Sequence, residues 1–89
     1  MARHYIKSWT HFYQAIKDGR KLHDLRVDDR NYQVGDTVVL QEYDNIDGCY
    51  LGNQIEAEIT YITNRAVPCA FSSAILPPRY CILSLKVLA

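Results

Sequence analysis

The chain has 89 residues, which is enough for one hydrophobic core and too few for two, so we predict a single domain over residues 1–89. Hydrophobic residues make up 48% of the chain and seven residues are tyrosines, which argues against intrinsic disorder. Ten Lys and Arg balance ten Asp and Glu, so no overall field attracts nucleic acid, and a purely electrostatic binder is disfavoured.

The cysteines and the apolar runs bear on cofactors and on location. Cys49, Cys69 and Cys81 share no CxxC spacing, and we expect them to be reduced, partly buried thiols that pack as small hydrophobic residues. The three histidines add no metal-ligand spacing, so we predict neither a metal site nor another cofactor. No apolar run reaches the roughly 20 residues of a membrane-spanning helix, and the first residues lack a signal-peptide pattern. We therefore expect a cytoplasmic protein with no membrane partner.

The first predicted elements are a strand and a helix. Residues 3–7 alternate in polarity as a strand does, and Ser8 is a candidate N-cap for the helix that follows. The helix carries one apolar face, on which we expect Trp9 and Phe12 to belong to the core. Gly19 is well placed to end the helix. The residues of the apolar face are Trp9, Phe12, Tyr13 and Ile16.

The middle of the chain is predicted to form three strands. In the first, over residues 20–27, Asp24 and Arg26 share one face with Leu22 because side chains alternate along a strand. Residues 37–43 form the next strand and residues 54–63 a half-exposed one. Between them we expect a broad exposed connection over residues 44–53 rather than a tight turn.

Residues 64–78 contain three prolines and are the least regular part, with room for a helical turn within residues 70–76. The strongly apolar segment 80–88 is predicted to be the central strand that closes a barrel. One early helix followed mainly by strands indicates an α+β domain with a small curled sheet.

Starting at Gly19, the chain carries Gly-x-Lys followed by a polar residue and Arg, then Val-Gly-Asp and Leu-x-Glu-Tyr-Asp. This series resembles the ASCH domain, a branch of the PUA-like superfamily, and the similarity covers nearly the whole chain. The chain is most similar to short, uncharacterised bacterial and phage ASCH-like proteins. The residues that match are His4, Ile6, Lys7, Gly19, Lys21, Arg26, Asp29, Arg30, Val34, Gly35, Asp36, Leu40, Glu42, Tyr43, Asp44, Gly52, Ile55, Ile59, Thr60, Tyr61 and Ile62.

The resemblance implies a small PUA-like β-barrel with the early helix packed on it, and a cleft between the two. Most such relatives bind RNA or single nucleotides, so the implied partner is RNA or a nucleotide-like small molecule. Arg26 would hold a phosphate or a base edge, Asp24 would accept a hydrogen bond from an exocyclic amine, and Lys21 would add charge at the mouth. An internal ion pair between Asp24 and Arg26 that only orders the strand is an equal alternative. The full set of candidate ligand-binding residues is Lys21, Asp24, Arg26, His4, Arg30 and Tyr61.

Two other functions stay open. Some ASCH members are hydrolases of modified nucleosides or RNA. In the amidohydrolase branch, a Lys and a Thr nucleophile occupy the positions of Lys21 and Asp24. Because Asp24 replaces that Thr, we favour binding over catalysis, and Lys21 and Asp24 are the candidate catalytic residues if the protein is an enzyme. The third possibility is a phage protein that binds a host protein, which a nuclease-insensitive shift on size exclusion with host lysate would support.

Overall fold

A computed structural model of the chain describes residues 1–88, with Ser72 and Ser73 described by their backbone alone. Five strands and two short helices follow one another along the chain, and the predicted helical turn within residues 70–76 is confirmed as the second helix. The elements are β1 (Arg3–Trp9), α1 (Thr10–Lys17), β2 (His23–Val27), β3 (Thr37–Asp44), β4 (Cys49–Thr63), α2 (Ser72–Ile75) and β5 (Tyr80–Val87).

The strands form one curled, mixed sheet in the order β1-β3-β4-β5-β2. β1 runs parallel to β3, and the other neighbours are antiparallel. The predicted α+β class is therefore confirmed, with the sheet as a half-barrel. The prediction that the last strand is central is wrong, because the 15-residue β4 is long enough to pair with both β3 and β5. The sheet stays open, and β1 and β2 are its two edges.

The hydrophobic core lies inside the curl, beneath α1. The helix contributes Tyr13 and Ile16, which are one turn apart and therefore point to the same side. The strands contribute alternate residues, as a half-buried sheet requires. No helix of the described residues is long and apolar enough to cross a bilayer. The core residues are Ile6, Tyr13, Ile16, Tyr32, Val38, Leu40, Ala57, Ile59, Cys81, Leu83 and Leu85.

The two ends of α1 differ in how closely they follow the sequence pattern. The N-cap is Trp9, which makes no side-chain capping bond, so the prediction of Ser8 as the cap is wrong. β1 runs two residues further than predicted and places Ser8 in the strand. At the other end, Gly19 has φ +78° and confirms the predicted stop. The N–H groups of Gly19 and Arg20 donate to the carbonyls of Ile16 and Ala15, which is a Schellman motif.

The connection between β3 and β4 is a tight hairpin, so the predicted broad loop over residues 44–53 is wrong. Asp44 pairs with Cys49, and the Asp44 carboxylate accepts hydrogen bonds from the backbone N–H groups of Ile46 and Asp47. These bonds hold the turn closed. Residues 51–53 belong to β4 and form an irregular stretch opposite Glu42, where the register with β3 shifts.

The three cysteines differ in burial. Cys81 lies in the core as predicted, whereas Cys49 and Cys69 are exposed, so the expectation of partly buried thiols is wrong for those two. Cys49 is exposed because it directly follows the hairpin turn. Burial raises the pKa of the Cys81 thiol from 9.0 to about 11, with the nearby Asp28 carboxylate adding to the rise.

We therefore expect iodoacetamide to alkylate Cys81 far more slowly than Cys49 in the folded protein. At about pH 8, a rise of two pKa units lowers the thiolate fraction about 100-fold relative to an unperturbed thiol, and burial also blocks access. Peptide mass spectrometry over a time course measures both rates. In denaturant the two rates should converge, and equal rates in the native protein would contradict the buried position of Cys81.

Candidate ligand-binding cleft

A cleft of about 410 Å³ separates the two edge strands, which we call the β1–β2 cleft. Its size falls within the range of small-molecule sites, about 300–1,000 Å³. It occupies the place where a closed barrel would have paired β1 with β2. Its lining comes from the end of β1, from α1 and from the segment leading into and through β2. The lining residues are Lys7, Ser8, Trp9, Phe12, Lys21, His23, Asp24, Leu25 and Arg26.

Asp24 and Arg26 form an ion pair in this cleft. Strand alternation turns both inward, so Asp24 is only 8% exposed, while Leu25 between them is 55% exposed. Arg26 Nε donates a short hydrogen bond to Asp24 Oδ2, and Arg26 Nη2 donates to the backbone carbonyl of Lys7 at 3.2 Å. That carbonyl belongs to the edge strand β1, so the Arg26 side chain spans the gap between the two edges.

The Schellman motif after α1 places Lys21 at the same cleft. Lys21 Nζ donates to the backbone carbonyl of His23 at 2.5 Å and lies 3.8 Å from Asp24 Oδ1. It also lies 5.7 Å from the centre of the Phe12 ring, within the range of a cation–π contact. The structure thus brings together three of the predicted site residues, Lys21, Asp24 and Arg26.

Trp9 and Phe12 form an aromatic pair that lines the cleft. Their ring centres are 5.9 Å apart with an angle of 15° between the planes, and the residues are 47% and 42% exposed. The prediction that both belong to the core is wrong, because Trp9 ends β1 rather than lying in the helix. The buried face of α1 is narrower than the apolar pattern indicated and consists of Tyr13 and Ile16.

The hydroxyl of Ser8 is one of the lining groups that the sequence analysis did not predict as part of the site. Ser8 shares the inward face of β1 with His4 and Ile6 and is 4% exposed. Its Oγ has no hydrogen-bond partner among the residues that the structure describes. A buried hydroxyl without a partner is unfavourable and is usually satisfied by water or a ligand. The alternation of β1 would have revealed this position if the strand had been predicted to continue past Lys7.

The other three predicted residues, His4, Arg30 and Tyr61, are not part of the cleft lining. His4 Nε2 donates to the buried Asp36 Oδ2 at 2.9 Å. Arg30 lies in the connection after β2, where its Nε is 3.9 Å from Asp29 Oδ1. Tyr61 lies half-exposed on β4.

Tyr32 connects His4 to the charged pair inside the half-barrel. The Tyr32 ring packs edge-on against the His4 ring, with centres 4.8 Å apart. The Tyr32 hydroxyl is buried and has no hydrogen-bond partner among the described residues. Burial raises the pKa of this hydroxyl, and the positive charges of Arg26 and Arg30 partly oppose the rise. His4 therefore contacts Tyr32 and Asp36 and does not line the cleft.

A second cleft, of about 480 Å³, lies between α1 and the β3–β4 hairpin. It is lined by His11 and Arg20 together with neighbouring residues of the hairpin, including the highly exposed Ile46. Its lining contains no buried ion pair and no buried hydroxyl that lacks a partner, within residues 1–88. Over the same residues, no group of three His, Cys, Asp or Glu side chains is arranged to hold a metal ion. The β1–β2 cleft is therefore the better candidate site.

Comparison with known proteins gives a family and one curated relative. The profile of a family described as a domain of unknown function, DUF3850, matches residues 3–85. A curated protein of Escherichia phage P2, named "uncharacterized 12.9 kDa protein in GpA 3'region", is 34% identical over 61 residues. That alignment covers 68% of this chain and 54% of the phage protein, so the chain spans about half the length of this relative.

Proposed function

The chain belongs to the DUF3850 family, and we propose that its β1–β2 cleft binds RNA or a nucleotide-like small molecule. The observation that carries the proposal is the half-exposed aromatic pair of Trp9 and Phe12 directly beside the charged residues of β2. Aromatic rings stack on bases of any sequence, and Arg and Lys side chains bind phosphate. This combination suits a ligand with a flat ring at one end and negative charge at the other.

We also propose that the half-barrel is related to the ASCH branch of the PUA-like folds. The curled mixed sheet with one helix packed on it supports this relationship, as does the position of Lys21 and Arg26 in a cleft next to that helix. The proposed binding function does not depend on this relationship, because it is argued from the side chains of the cleft.

Binding explains the cleft better than hydrolysis does. A serine nucleophile needs a base within hydrogen-bonding distance, and Ser8 Oγ has no hydrogen-bond partner among the described residues. Asp24, which replaces the Thr of the hydrolytic ASCH members, is held by Arg26 in an ion pair. The side chains of the cleft are therefore arranged to hold a ligand, with no activated nucleophile among them.

We expect Trp9→Ala to weaken binding about 5- to 150-fold, because stacking of one base contributes about 1–3 kcal/mol. The variant should keep its fold, since Trp9 is half-exposed. Isothermal titration calorimetry against the four nucleoside 5′-monophosphates and a short oligoribonucleotide measures the effect, with circular dichroism to check folding.

The matched control is Tyr61→Ala, which removes another half-exposed aromatic side chain outside the cleft lining. Its affinity should equal that of the unmodified protein. Equal losses in Trp9→Ala and Tyr61→Ala would contradict the proposed site. The absence of binding to any probe by the folded, unmodified protein would contradict the proposed function itself.

A further inference from the structure

We infer that the β1–β2 cleft takes a single nucleotide by its phosphate monoester, such as a nucleoside monophosphate, and does not bind an internal stretch of RNA strand. This inference rests on the proposed function and narrows it to a substrate class. Four features of the structure support it: the charge of the cleft, its size, the pairing of arginines outside it, and the buried hydroxyl of Ser8.

The cleft carries a local excess of positive charge in a protein that is neutral overall. Three cationic side chains, Lys7, Lys21 and Arg26, line it together with a single carboxylate, Asp24. Asp24 neutralises one positive charge through its ion pair with Arg26. Lys7 Nζ lies over the Tyr43 ring, 4.1 Å from its centre, and this contact with an uncharged ring leaves the positive charge of Lys7 unneutralised. A surplus of about two charges matches the dianionic phosphate monoester better than the single charge of an internal phosphodiester.

The volume of the cleft favours one nucleotide. Sites of a few hundred cubic ångströms enclose a single small molecule, and this one measures about 410 Å³. A base stacked on Trp9 would leave room for its sugar and one phosphate within reach of β2. A second nucleotide would have to lie outside the cleft, where it would need its own cationic and aromatic contacts.

Three of the five arginines outside the cleft lie beside acidic side chains, which works against a continuous basic track. Arg3 Nη1 lies 2.7 Å from Glu56 Oε1, and Arg20 Nη2 lies 3.1 Å from Asp18 Oδ2. Arg30 also lies near a carboxylate, that of Asp29. A groove that follows an RNA backbone needs cations available at successive phosphates, and these pairs reduce the charge that a strand would meet.

Ser8 provides a directional contact for the part of the ligand that enters deepest. Its buried Oγ can both donate and accept a hydrogen bond, and the described residues offer it no partner. Phe12 is in contact with Trp9, Lys21 and His11, so the half-exposed Trp9 is the ring available to a base. A base on Trp9 and a phosphate near Lys21 and Arg26 would place polar ligand atoms between them, close to Ser8.

The experiment compares three classes of probe by isothermal titration calorimetry: the four nucleoside 5′-monophosphates, the four matching nucleosides, and a short oligoribonucleotide without a terminal phosphate. We expect at least one monophosphate to bind about 10- to 100-fold more tightly than its nucleoside, which is the effect of charge-assisted hydrogen bonds to the phosphate. The oligoribonucleotide should bind no more tightly than the nucleoside.

Two lysine variants locate the phosphate. Lys21→Met should remove most of the advantage of the monophosphate over the nucleoside and leave the affinity for the nucleoside nearly unchanged. Lys86→Met removes the same charge from an exposed position on β5, outside the cleft lining, and should change neither affinity. A third variant, Ser8→Ala, should weaken the monophosphate and its nucleoside by the same factor, because Ser8 contacts the part that they share.

The outcomes separate this inference from the proposed function. An oligoribonucleotide that binds tighter with increasing length, or a nucleoside that binds as tightly as its monophosphate, would overturn the inference while the proposed nucleotide site stands. If none of the probes bound to the folded protein, both would fail. Equal effects of Lys21→Met and Lys86→Met would show that the phosphate advantage does not arise in the cleft, which would also overturn the inference.

Discussion

Replacing Asp36 with Ala should lower the free energy of unfolding by about 3–5 kcal/mol, a large part of the total stability of a small domain. The Asp36 carboxylate is 2% exposed and accepts three hydrogen bonds, from His4 Nε2 and from the backbone N–H groups of Ala2 and Gln33. Its loss leaves the His4 ring buried without its acceptor and releases the start of β1. Equilibrium denaturation in urea measures the effect.

The control for this prediction is Asp18→Ala, which removes an exposed carboxylate that is paired with Arg20. Surface ion pairs contribute about 0–1 kcal/mol, so we expect little change. If both variants lost the same stability, the bonds of Asp36 would not be holding β1 to the turn before β3, which the Asp36 N–H group closes by donating to the Gln33 carbonyl.

The pH dependence of stability gives an independent measurement on Asp36. The hydrogen bond from His4, aided by the N–H groups of Ala2 and Gln33, holds the pKa of Asp36 below its usual value despite burial. A carboxyl group whose pKa is lower in the folded state contributes stability above its unfolded pKa, about 4, and this contribution is lost as the pH falls through the folded pKa. Asp36→Asn should therefore be less destabilised than the unmodified protein when the pH drops below about 4. Parallel pH profiles of the two proteins would contradict this assignment.

Arg26→Met should destabilise the fold by about 3 kcal/mol, because it leaves the carboxylate of Asp24 largely buried and without its main partner. It also removes the bond from Arg26 to the Lys7 carbonyl, which is the direct hydrogen bond that the structure shows between the two edge strands. The double variant Asp24→Leu/Arg26→Met should recover most of that stability, since apolar residues of similar size often replace a buried ion pair without loss. Both variants should bind the nucleoside monophosphates at least about 10-fold more weakly than the unmodified protein does.

The double variant separates the two interpretations of this ion pair. If Asp24 and Arg26 only order β2, the double variant should bind every ligand that the unmodified protein binds. If they form part of the ligand site, the double variant should be stable but should bind the nucleoside monophosphates at least about 10-fold more weakly. Arg20→Met is the matched control, because Arg20 makes an exposed ion pair with Asp18 and should affect neither property. A double variant as unstable as Arg26→Met would show that the unpaired carboxylate is not the cause of the loss.

Much of the candidate site follows from local sequence patterns. The stop of α1 at Gly19 depends on one residue that adopts positive φ at little cost, and the turn it forms carries Lys21 towards β2. Asp24 and Arg26 share a face because side chains alternate in any strand. These local rules need no knowledge of distant residues, and for that reason the grouping of Lys21, Asp24 and Arg26 could be predicted.

Other parts of the site depend on which strands become neighbours. Trp9 and Phe12 fit an apolar helix face equally well by spacing, and only the extension of β1 along β3 left them half-exposed beside the cleft. Ser8 fits the pattern of a helix N-cap, but the same extension of β1 places it inside the strand. His4, an equally plausible site residue by sequence, is engaged by Asp36, which is 32 residues further along the chain. Contacts at that separation leave no periodic signal in the sequence.

The sequence by itself determined the α+β class, the end of the helix at Gly19 and the shared face of Asp24 and Arg26 on β2, because each depends on backbone geometry within a few residues. The tertiary structure alone decided that β4 rather than the last strand lies at the centre, that the sheet stays open between β1 and β2, and that this opening is a cleft. The physical reason is that strand order and closure depend on pairing between segments that are distant in the chain. At the open edge of β1, the Arg26 side chain donates a hydrogen bond to the Lys7 carbonyl where another strand could have paired.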